Sequence, residues 1–265
     1  MPSVIERMIQ QPIFQKARKA SSIATKGIKN PTEAAKHTKY RLEYIRILLT
    51  GKDPESISFY SDLQNKKVRA GEAYPRGRGI GEAQIEFLQR QGLDPSDRVL
   101  EIGCGDLRGG RHLISYLNKG NYTGMDISEE AVKQGWITLR SYGLMDKTPS
   151  LLVNDDLKLD EFENQTFERI FANSVLTHLP EEQIAELFSN LEEVLSPNGQ
   201  ACLSYHQASE HKAIKSNNIS SSNLYKFPFE QLRNLGEEHG LRVGHDTYHE
   251  HPVERMQMLC ICVDT

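Results

Sequence analysis

Short apolar runs alternate with amphipathic stretches over most of the chain beyond about residue 80. Compact apolar runs bounded by polar or glycine-containing turns predict buried strands, and apolar positions that recur every three or four residues predict helices. The predicted strands are 98–103, 122–127, 150–154, 167–173, 200–206, 241–248 and 256–263. The predicted helices are 82–91, 110–117, a segment capped by Ser128, a segment opened by Pro180, and 228–239.

This alternation of strands and helices predicts a parallel sheet with helices on both faces. The last two strands are separated only by residues 249–255, which is shorter than the roughly dozen residues that a parallel crossover needs. We therefore expect an α/β fold over residues 71–265, with a doubly wound, mostly parallel seven-stranded sheet whose last strand is antiparallel.

Residues 1–70 form a separate basic segment in the sequence. They hold 14 Lys and Arg against 6 Asp and Glu, whereas the remaining residues hold 18 against 30. An apolar cluster within residues 40–49 predicts a helix that packs on a larger body. We predict a basic helical extension, which favours contact with a membrane surface or another anionic partner. A solvated helical face is the alternative.

The composition is typical of a globular protein in the cytoplasm. No apolar run approaches the roughly 18–20 residues that cross a bilayer, and polar residues interrupt the apolar ones near the N-terminus, so no signal peptide is predicted. None of the four cysteines has the spacing of a metal site. We expect reduced thiols, no metal and a cytoplasmic location.

The loop after the first predicted strand is the first candidate binding element. In open α/β sheets, ligands bind outside the carboxyl ends of the strands. Gly103 and Gly105 allow close approach of a ligand to the backbone. A dinucleotide-binding loop would require a third glycine at position 108, where Arg108 stands. The loop therefore favours a cofactor that has no phosphates and carries an amino-acid end.

Acidic and amide side chains follow the next three predicted strands. Asp126 ends the second strand and can accept hydrogen bonds from a ribose hydroxyl pair, although it could instead cap the following helix. Asp155 and Asp156 follow the third strand, where a carboxylate can accept from an adenine amino group; paired acids of a surface loop are the alternative. Asn173 and Ser174 follow the fourth.

Taken in order, these segments resemble the class I S-adenosylmethionine-dependent methyltransferases. The matching stretches are the Glu-x-Gly-x-Gly core within 99–105, the strand 122–127, the strand and turn 167–180, and the Leu-Ser-Pro-Asn-Gly turn 195–199. The resemblance covers residues 80–205 by motif and 225–264 by topology. Leu107 replaces a third glycine of the family pattern, Glu168 stands where aspartate is usual, and Asn198 replaces a glycine.

The resemblance implies S-adenosyl-L-methionine as the cofactor and a Rossmann-like methyltransferase fold. It places Gly103, Cys104 and Gly105 along the methionine end, with Glu101 supporting the loop. The remaining implied contacts are Asp126 to the ribose, Ile127 on the adenine, Asp155 or Asp156 with Leu157 at the adenine edge, and Asn173 and Ser174 beneath the sulfonium.

Two histidines are the candidate general bases. His206 follows the fifth predicted strand and His178 lies in the turn after the fourth. The polar segment 207–223 is a possible acceptor lid. We predict O- or N-methylation of a small-molecule or sugar-containing acceptor, with no nucleic-acid substrate because the body is acidic. The alternatives are a non-catalytic cofactor-binding regulatory protein and a nucleotide-cofactor oxidoreductase. The oligomeric state is not indicated.

Overall fold

The computed structural model describes residues 46–47, 50–52, 56–69, 79–163, 165–208, 214–216, 224–246 and 256–263. The strands are β1 (Val99–Ile102), β2 (Tyr122–Asp126), β3 (Ser150–Val153), β4 (Phe167–Ala172), β5 (Leu195–His206), β6 (Ile214–Ser216), β7 (Leu224–Lys226), β8 (Leu241–Asp246) and β9 (Met256–Val263). The helices are α1 (Ile57–Arg69), α2 (Ile80–Arg90), α3 (Gly110–Tyr116), α4 (Glu129–Ser141), α5 (Glu181–Val194) and α6 (Phe229–Glu237).

Seven strands form one sheet in the order β3-β2-β1-β4-β5-β9-β8. The pairs β1–β2, β1–β4, β2–β3 and β4–β5 are parallel, whereas β9 is antiparallel to both β5 and β8. The predicted doubly wound sheet with a reversed last strand is therefore confirmed. The strand order changes direction between β1 and β4, so a crevice opens at the carboxyl ends of these two central strands.

Alternating residues of the strands enter two apolar layers. Leu100 and Ile102 of β1 pack in the layer beneath α5 and α6, and Val99 packs in the layer beneath α2, α3 and α4. Because successive strand residues point to opposite faces, a sheet covered on both sides buries every position of its central strand. All four residues of β1 are buried, which fixes the position of the loop that follows it.

Two details of the sequence prediction were wrong. The turn expected at residues 195–199 lies within β5, which begins at Leu195 and pairs with β4 through an irregular register between Phe167 and Arg169. No strand was predicted in or directly after the polar segment 207–223, but Ile214–Ser216 forms an antiparallel pair with Leu224–Lys226. A two-residue-period pattern is hard to recognise in a strand of three residues.

The N-terminal segment is described only in part. Helix α1 (Ile57–Arg69) agrees with a helical extension, whereas residues 1–45 lie outside the described part, so the membrane or anionic-partner role stays a prediction. Among the described helices, none combines the length and apolar character that crossing a bilayer requires.

Candidate cofactor and acceptor site

Short hydrogen bonds join the carboxyl ends of β1, β2 and β3 and, separately, those of β4 and β5. The Gly105 N–H donates to Asp126 Oδ2 over 2.8 Å, which joins the ends of β1 and β2. The Asn154 N–H donates to the Asp126 main-chain oxygen over 3.1 Å, which adds β3. The Ser174 N–H donates to Ser204 Oγ over 2.6 Å, which joins β4 to β5. Most of the predicted site residues therefore lie along one edge of the sheet.

Asp126 is buried and held by two main-chain donors. Its Oδ1 accepts from the Ser128 N–H over 2.8 Å, and its Oδ2 accepts from Gly105. Burial raises the pKa of Asp126 to about 6, although the hydrogen bonds from Ser128 and Gly105 oppose this rise. Each carboxylate oxygen retains a second lone pair, so the side chain can still accept from a hydroxyl pair. The helix cap itself is Ser128, whose Oγ accepts from the Ala131 N–H.

The loop after β1 is folded tightly by two glycines with positive φ. Gly103 has φ 74° and Gly105 has φ 58°. A Cβ on Gly103 would lie 2.5 Å from Val175 Cγ2, so the loop and the turn after β4 touch at this position. Cys104 packs its side chain inward, since it is only 5% exposed and its sulfur lies 3.0 Å from where a Cβ on Gly124 would be. Cys104 could thus line the cofactor through its main chain alone.

Glu101 lies beneath this loop. It is 4% exposed, and the Tyr122 hydroxyl donates to its Oε2 over 2.5 Å. A Cβ on Gly110 would lie 2.7 Å from the same oxygen, so α3 begins directly against the carboxyl group. Burial is the main reason that the pKa of Glu101 rises to about 8. The carboxyl group of Glu101 thus lies between β2 and the start of α3, and its raised pKa favours the neutral form at neutral pH.

Leu107 has a left-handed backbone conformation, which glycine adopts more readily than leucine. Its φ is 61°, and its side chain is fully buried. The space it fills is left by two helical glycines: a Cβ on Gly110 would lie 2.9 Å from Leu107 Cδ2, and one on Gly135 would lie 3.2 Å from Leu107 Cγ. The strain of a left-handed leucine, about 1–2 kcal/mol, is thus offset by burial of its side chain.

The candidate adenine residues differ in exposure. Asp155 is exposed and Asp156 is half-buried, with its Oδ1 accepting from the Lys158 N–H over 3.1 Å. Leu157 sends its side chain into the core and is 7% exposed. Asn154 was missed by sequence reasoning, yet it is buried and its Oδ1 accepts from the Asp156 N–H. The position of the Asp156 side chain is therefore more restrained than that of Asp155.

The turn after β4 contributes a second group of polar atoms. Ser174 has φ 62°, and its hydroxyl lies 4.0 Å from the sulfur of Met256. Asn173 Oδ1 is buried with no hydrogen-bond partner among the described residues. A buried unpaired acceptor of this kind is typical of a position that a ligand or water satisfies.

His206 lies at the end of β5, beside this turn. Its backbone pairs with Met256, and its side chain is expected on the same strand face as Ser204, which contacts Ser174. The imidazole is half-buried, and burial together with Lys226 lowers its pKa. His178 lies farther along the turn, where its ring centroid is 5.2 Å from that of Tyr60 on α1. The structure thus brings His206, Ser174 and Met256 together, while His178 contacts α1.

Glu168 has no place in this site. It lies at the opposite end of β4, where Oε1 pairs with Arg98 over 2.8 Å and Oε2 accepts from the Arg98 N–H over 2.8 Å. The departure from the family pattern at this residue therefore affects a surface ion pair and not the strand ends.

Comparisons with known proteins agree with the fold. Residues 99–199 match the family model of a methyltransferase domain. Sterol 24-C-methyltransferase from Gibberella zeae is 26% identical over 129 residues, which are 49% of this chain and 32% of that protein. This chain therefore spans about a third of the length of that relative.

Solved structures show the same fold. Magnesium protoporphyrin IX methyltransferase from Synechocystis PCC 6803, crystallised with bound S-adenosylmethionine, superposes with a TM-score of 0.61 at 17% identity, over 80% of this chain and 98% of that one. A glycopeptide N-methyltransferase complexed with sinefungin superposes with a TM-score of 0.56 at 15% identity, over 71% of this chain and 95% of that one.

Residues 99–199 are similar to the methyltransferase-domain family, as the sequence motifs predicted. The fold is the one that S-adenosylmethionine-dependent methyltransferases of known structure share. The roles of the individual residues at the strand ends stay predictions.

Proposed function

We propose that this protein transfers the methyl group of S-adenosylmethionine to an oxygen or nitrogen of a small-molecule acceptor, including sugar-containing ones. The proposal rests on two side chains that lie at strand ends on either side of the crevice. Buried Asp126 is fixed by main-chain donors on one side of the crevice, and a half-buried imidazole, His206, lies on the other. The carboxylate of Asp126 suits the hydroxyl pair of a nucleoside, and the imidazole of His206 suits an acceptor that must lose a proton.

The residues present fit the cofactor. Asp126 would accept from the ribose hydroxyls, Ile127 would pack on the adenine, and Asp156 with the Leu157 main chain would hold the adenine edge. The main chain of 103–105 would line the methionine end, with Asn173 and Ser174 beneath the sulfonium; the unpaired Asn173 Oδ1 supports a polar ligand there. The bound cofactor supplies an electrophilic methyl group, so the work of the protein is largely positioning and exclusion of water.

His206 is our candidate for the base that removes the acceptor proton. Its lowered pKa keeps the imidazole neutral at lower pH than an ordinary histidine, which leaves a ring nitrogen able to accept a proton. The β6–β7 hairpin is attached at this point, because the Phe227 N–H donates to the His206 main-chain oxygen and the Ala208 N–H donates to that of Phe227. Strand β6 of this pair belongs to the segment 207–223, which we propose covers the acceptor, and β7 follows that segment directly.

The direct test of the function is a transfer assay with a panel of acceptors. Purified protein and S-adenosylmethionine would be incubated with hydroxyl-bearing, amine-bearing and sterol acceptors, and the demethylated cofactor and the methylated product would be quantified by mass spectrometry. Transfer to a hydroxyl or an amine supports the proposal. Transfer only to a sterol carbon, as the name of the Gibberella zeae relative suggests for that protein, would contradict the assignment of the acceptor atom.

Replacing Asp126 with alanine should weaken binding of S-adenosylhomocysteine by about 1–3 kcal/mol. This is the typical loss when hydrogen bonds to a charged group are removed from a buried position. Isothermal titration calorimetry measures it directly, with Asp146→Ala as the control because Asp146 is exposed and precedes β3, away from the carboxyl ends of the strands. An unchanged affinity in Asp126→Ala would contradict the ribose assignment, and binding of NADH in place of S-adenosylhomocysteine would point to an oxidoreductase.

Replacing His206 with asparagine should lower kcat about 100-fold with a hydroxyl acceptor, at the lower end of the usual contribution of general-base catalysis. The KM for S-adenosylmethionine should change little, since His206 is not assigned to the cofactor. His239→Asn is the matched control, because His239 lies between α6 and the start of β8, at the opposite edge of the sheet from the crevice. If His178→Asn loses activity and His206→Asn does not, the base has been assigned to the wrong histidine.

A further inference from the structure

Helix α1 lies outside the residues that match the methyltransferase domain, yet it contacts the segment that follows Asp126. The Ser61 hydroxyl donates to the main-chain oxygen of Ile127 over 3.0 Å. Two turns later, Arg69 pairs with Glu130 over 2.9 Å. The segment that we assign to the ribose and adenine is therefore held from outside by a second element of the chain.

Asn65 makes the central contact of this group. Its Oδ1 accepts from the Ser128 hydroxyl over 2.8 Å and from the Glu130 N–H over 3.1 Å. Ser128 is fully buried and in turn donates its main-chain N–H to Asp126 Oδ1 over 2.8 Å. A continuous hydrogen-bonded path thus runs from the α1 side chain through Ser128 to the carboxylate of Asp126.

The geometry points to Asn65 as a positioning residue for the cofactor, which acts through Ser128 to hold the Asp126 carboxylate in the orientation that accepts the ribose. This inference rests on the proposed role of Asp126 and is independent of the methyl acceptor. It makes α1 a part of the cofactor site, although α1 lies outside the matched residues 99–199.

The contact does more than complete a helix cap. Ser128 Oγ already accepts from the Ala131 N–H over 3.1 Å, so helix α4 has its own side-chain cap without Asn65. What Asn65 adds is an acceptor for the Ser128 hydroxyl proton, which fixes the rotamer of that side chain, and a partner for one more main-chain N–H of the first turn. Both effects restrain the backbone from which the Ser128 N–H reaches Asp126.

The neighbouring ion pair between Arg69 and Glu130 is a weaker candidate for positioning the cofactor. The side chain of Arg69 is 62% exposed and that of Glu130 is 22% exposed, so solvent screens their attraction. We therefore expect Arg69→Ala to change cofactor affinity less than twofold, roughly the effect of an exposed pair.

The experiment compares S-adenosylhomocysteine affinity by calorimetry in Asn65→Ala, Asn65→Asp and Gln64→Ala. Asn65→Ala should raise Kd roughly five- to tenfold, the usual scale for a lost buried hydrogen bond. Asn65→Asp retains an acceptor oxygen and should restore affinity to within about twofold of the original. Gln64 is the neighbouring residue on α1, is half-buried and has no described hydrogen bond, so Gln64→Ala should leave Kd unchanged and controls for loss of side-chain packing on the helix.

A double variant tests whether Asn65 acts through Asp126. If it does, Asn65→Ala should raise Kd less than about twofold in the Asp126→Ala background, because the carboxylate that it positions is gone. Fully additive losses, an Asn65→Ala Kd equal to that of the original protein, or an equal loss in Gln64→Ala would each overturn the inference. A loss in Asp126→Ala without one in Asn65→Ala contradicts this inference alone, whereas an unchanged Asp126→Ala contradicts the ribose assignment.

Discussion

Replacing Gly103 with alanine is expected to abolish measurable binding of S-adenosylhomocysteine and to lower the free energy of unfolding by about 2–5 kcal/mol, since two effects add at this position. A left-handed backbone is strained for alanine by about 1–2 kcal/mol, and Gly103 has φ 74°. The new Cβ would also lie 2.5 Å from Val175 Cγ2, and overpacking of this kind costs about 1–3 kcal/mol.

The two effects can be measured separately. Gly143 has φ 67° and no atom within 4 Å of where a Cβ would be, so Gly143→Ala reports the backbone strain alone. The double variant Gly103→Ala with Val175→Ala removes the close contact and retains the strain. Urea unfolding gives the stabilities and calorimetry the affinities. If Gly103→Ala binds the ligand normally and loses no more stability than Gly143→Ala, the contact with the turn after β4 has no importance for the loop.

The grouping of the site residues at the strand ends could be predicted, because each strand and the residue after it are recognised from a short stretch of sequence. Each site residue of this group follows an apolar run, and parallel strands bring their carboxyl ends to one edge whatever the detailed packing. Asp126, Gly105 and Ser174 could thus be placed near one another from their positions relative to the predicted strands. In the structure, hydrogen bonds join Gly105 to Asp126 and Ser174 to Ser204 at the ends of neighbouring strands.

Leu107 shows what a motif comparison cannot resolve. The sequence shows only that leucine replaces a glycine, which leaves the path of the loop open. In the structure Leu107 has a left-handed backbone, and Gly110 and Gly135 leave room for its side chain. Those two glycines lie on different helices, and their shared contact with Leu107 depends on how α3 and α4 pack.

The contribution of α1 could not be predicted for a similar reason. Asn65 and Ser128 are 63 residues apart, and neither belongs to a recognisable pair in the sequence. The only local indication is that Ser128 begins a helix, which predicts a cap but says nothing about a second partner for its hydroxyl. Long-range polar contacts of this kind depend on the docking of whole elements.

Replacing Glu101 with glutamine is expected to stabilise the protein increasingly as the pH rises from about 5 to 8, by as much as about 4 kcal/mol at the upper end. Burial holds the pKa of Glu101 at about 8 in the folded state, whereas an ordinary glutamate titrates near 4.5. Between these values the folded state keeps a proton that the unfolded state has released. The free energy of unfolding therefore falls by about 1.4 kcal/mol per pH unit in this window.

Glutamine retains the neutral form at every pH and can still accept from the Tyr122 hydroxyl, so the variant should lose this slope. The measurement is urea unfolding of both proteins from about pH 6.5 to 8. This range lies above the pKa of Asp126, which is about 6, so that carboxyl contributes little to the change. The titration of histidines is common to both proteins and cancels in the difference, which should grow by about 2 kcal/mol over this range.

Glu86→Gln is the matched control, because Glu86 is an exposed glutamate on α2. The difference in the free energy of unfolding between the Glu86→Gln variant and the original protein should not depend on pH. If Glu101→Gln behaves in the same way, Glu101 is ionised in the folded protein at neutral pH. The loop after β1 would then rest on a buried negative charge next to Asp126, and the repulsion between the two carboxylates would raise the pKa of Asp126 further. A neutral Glu101 avoids that repulsion and leaves Asp126 as the charged group, which suits the ribose contact that we propose for it.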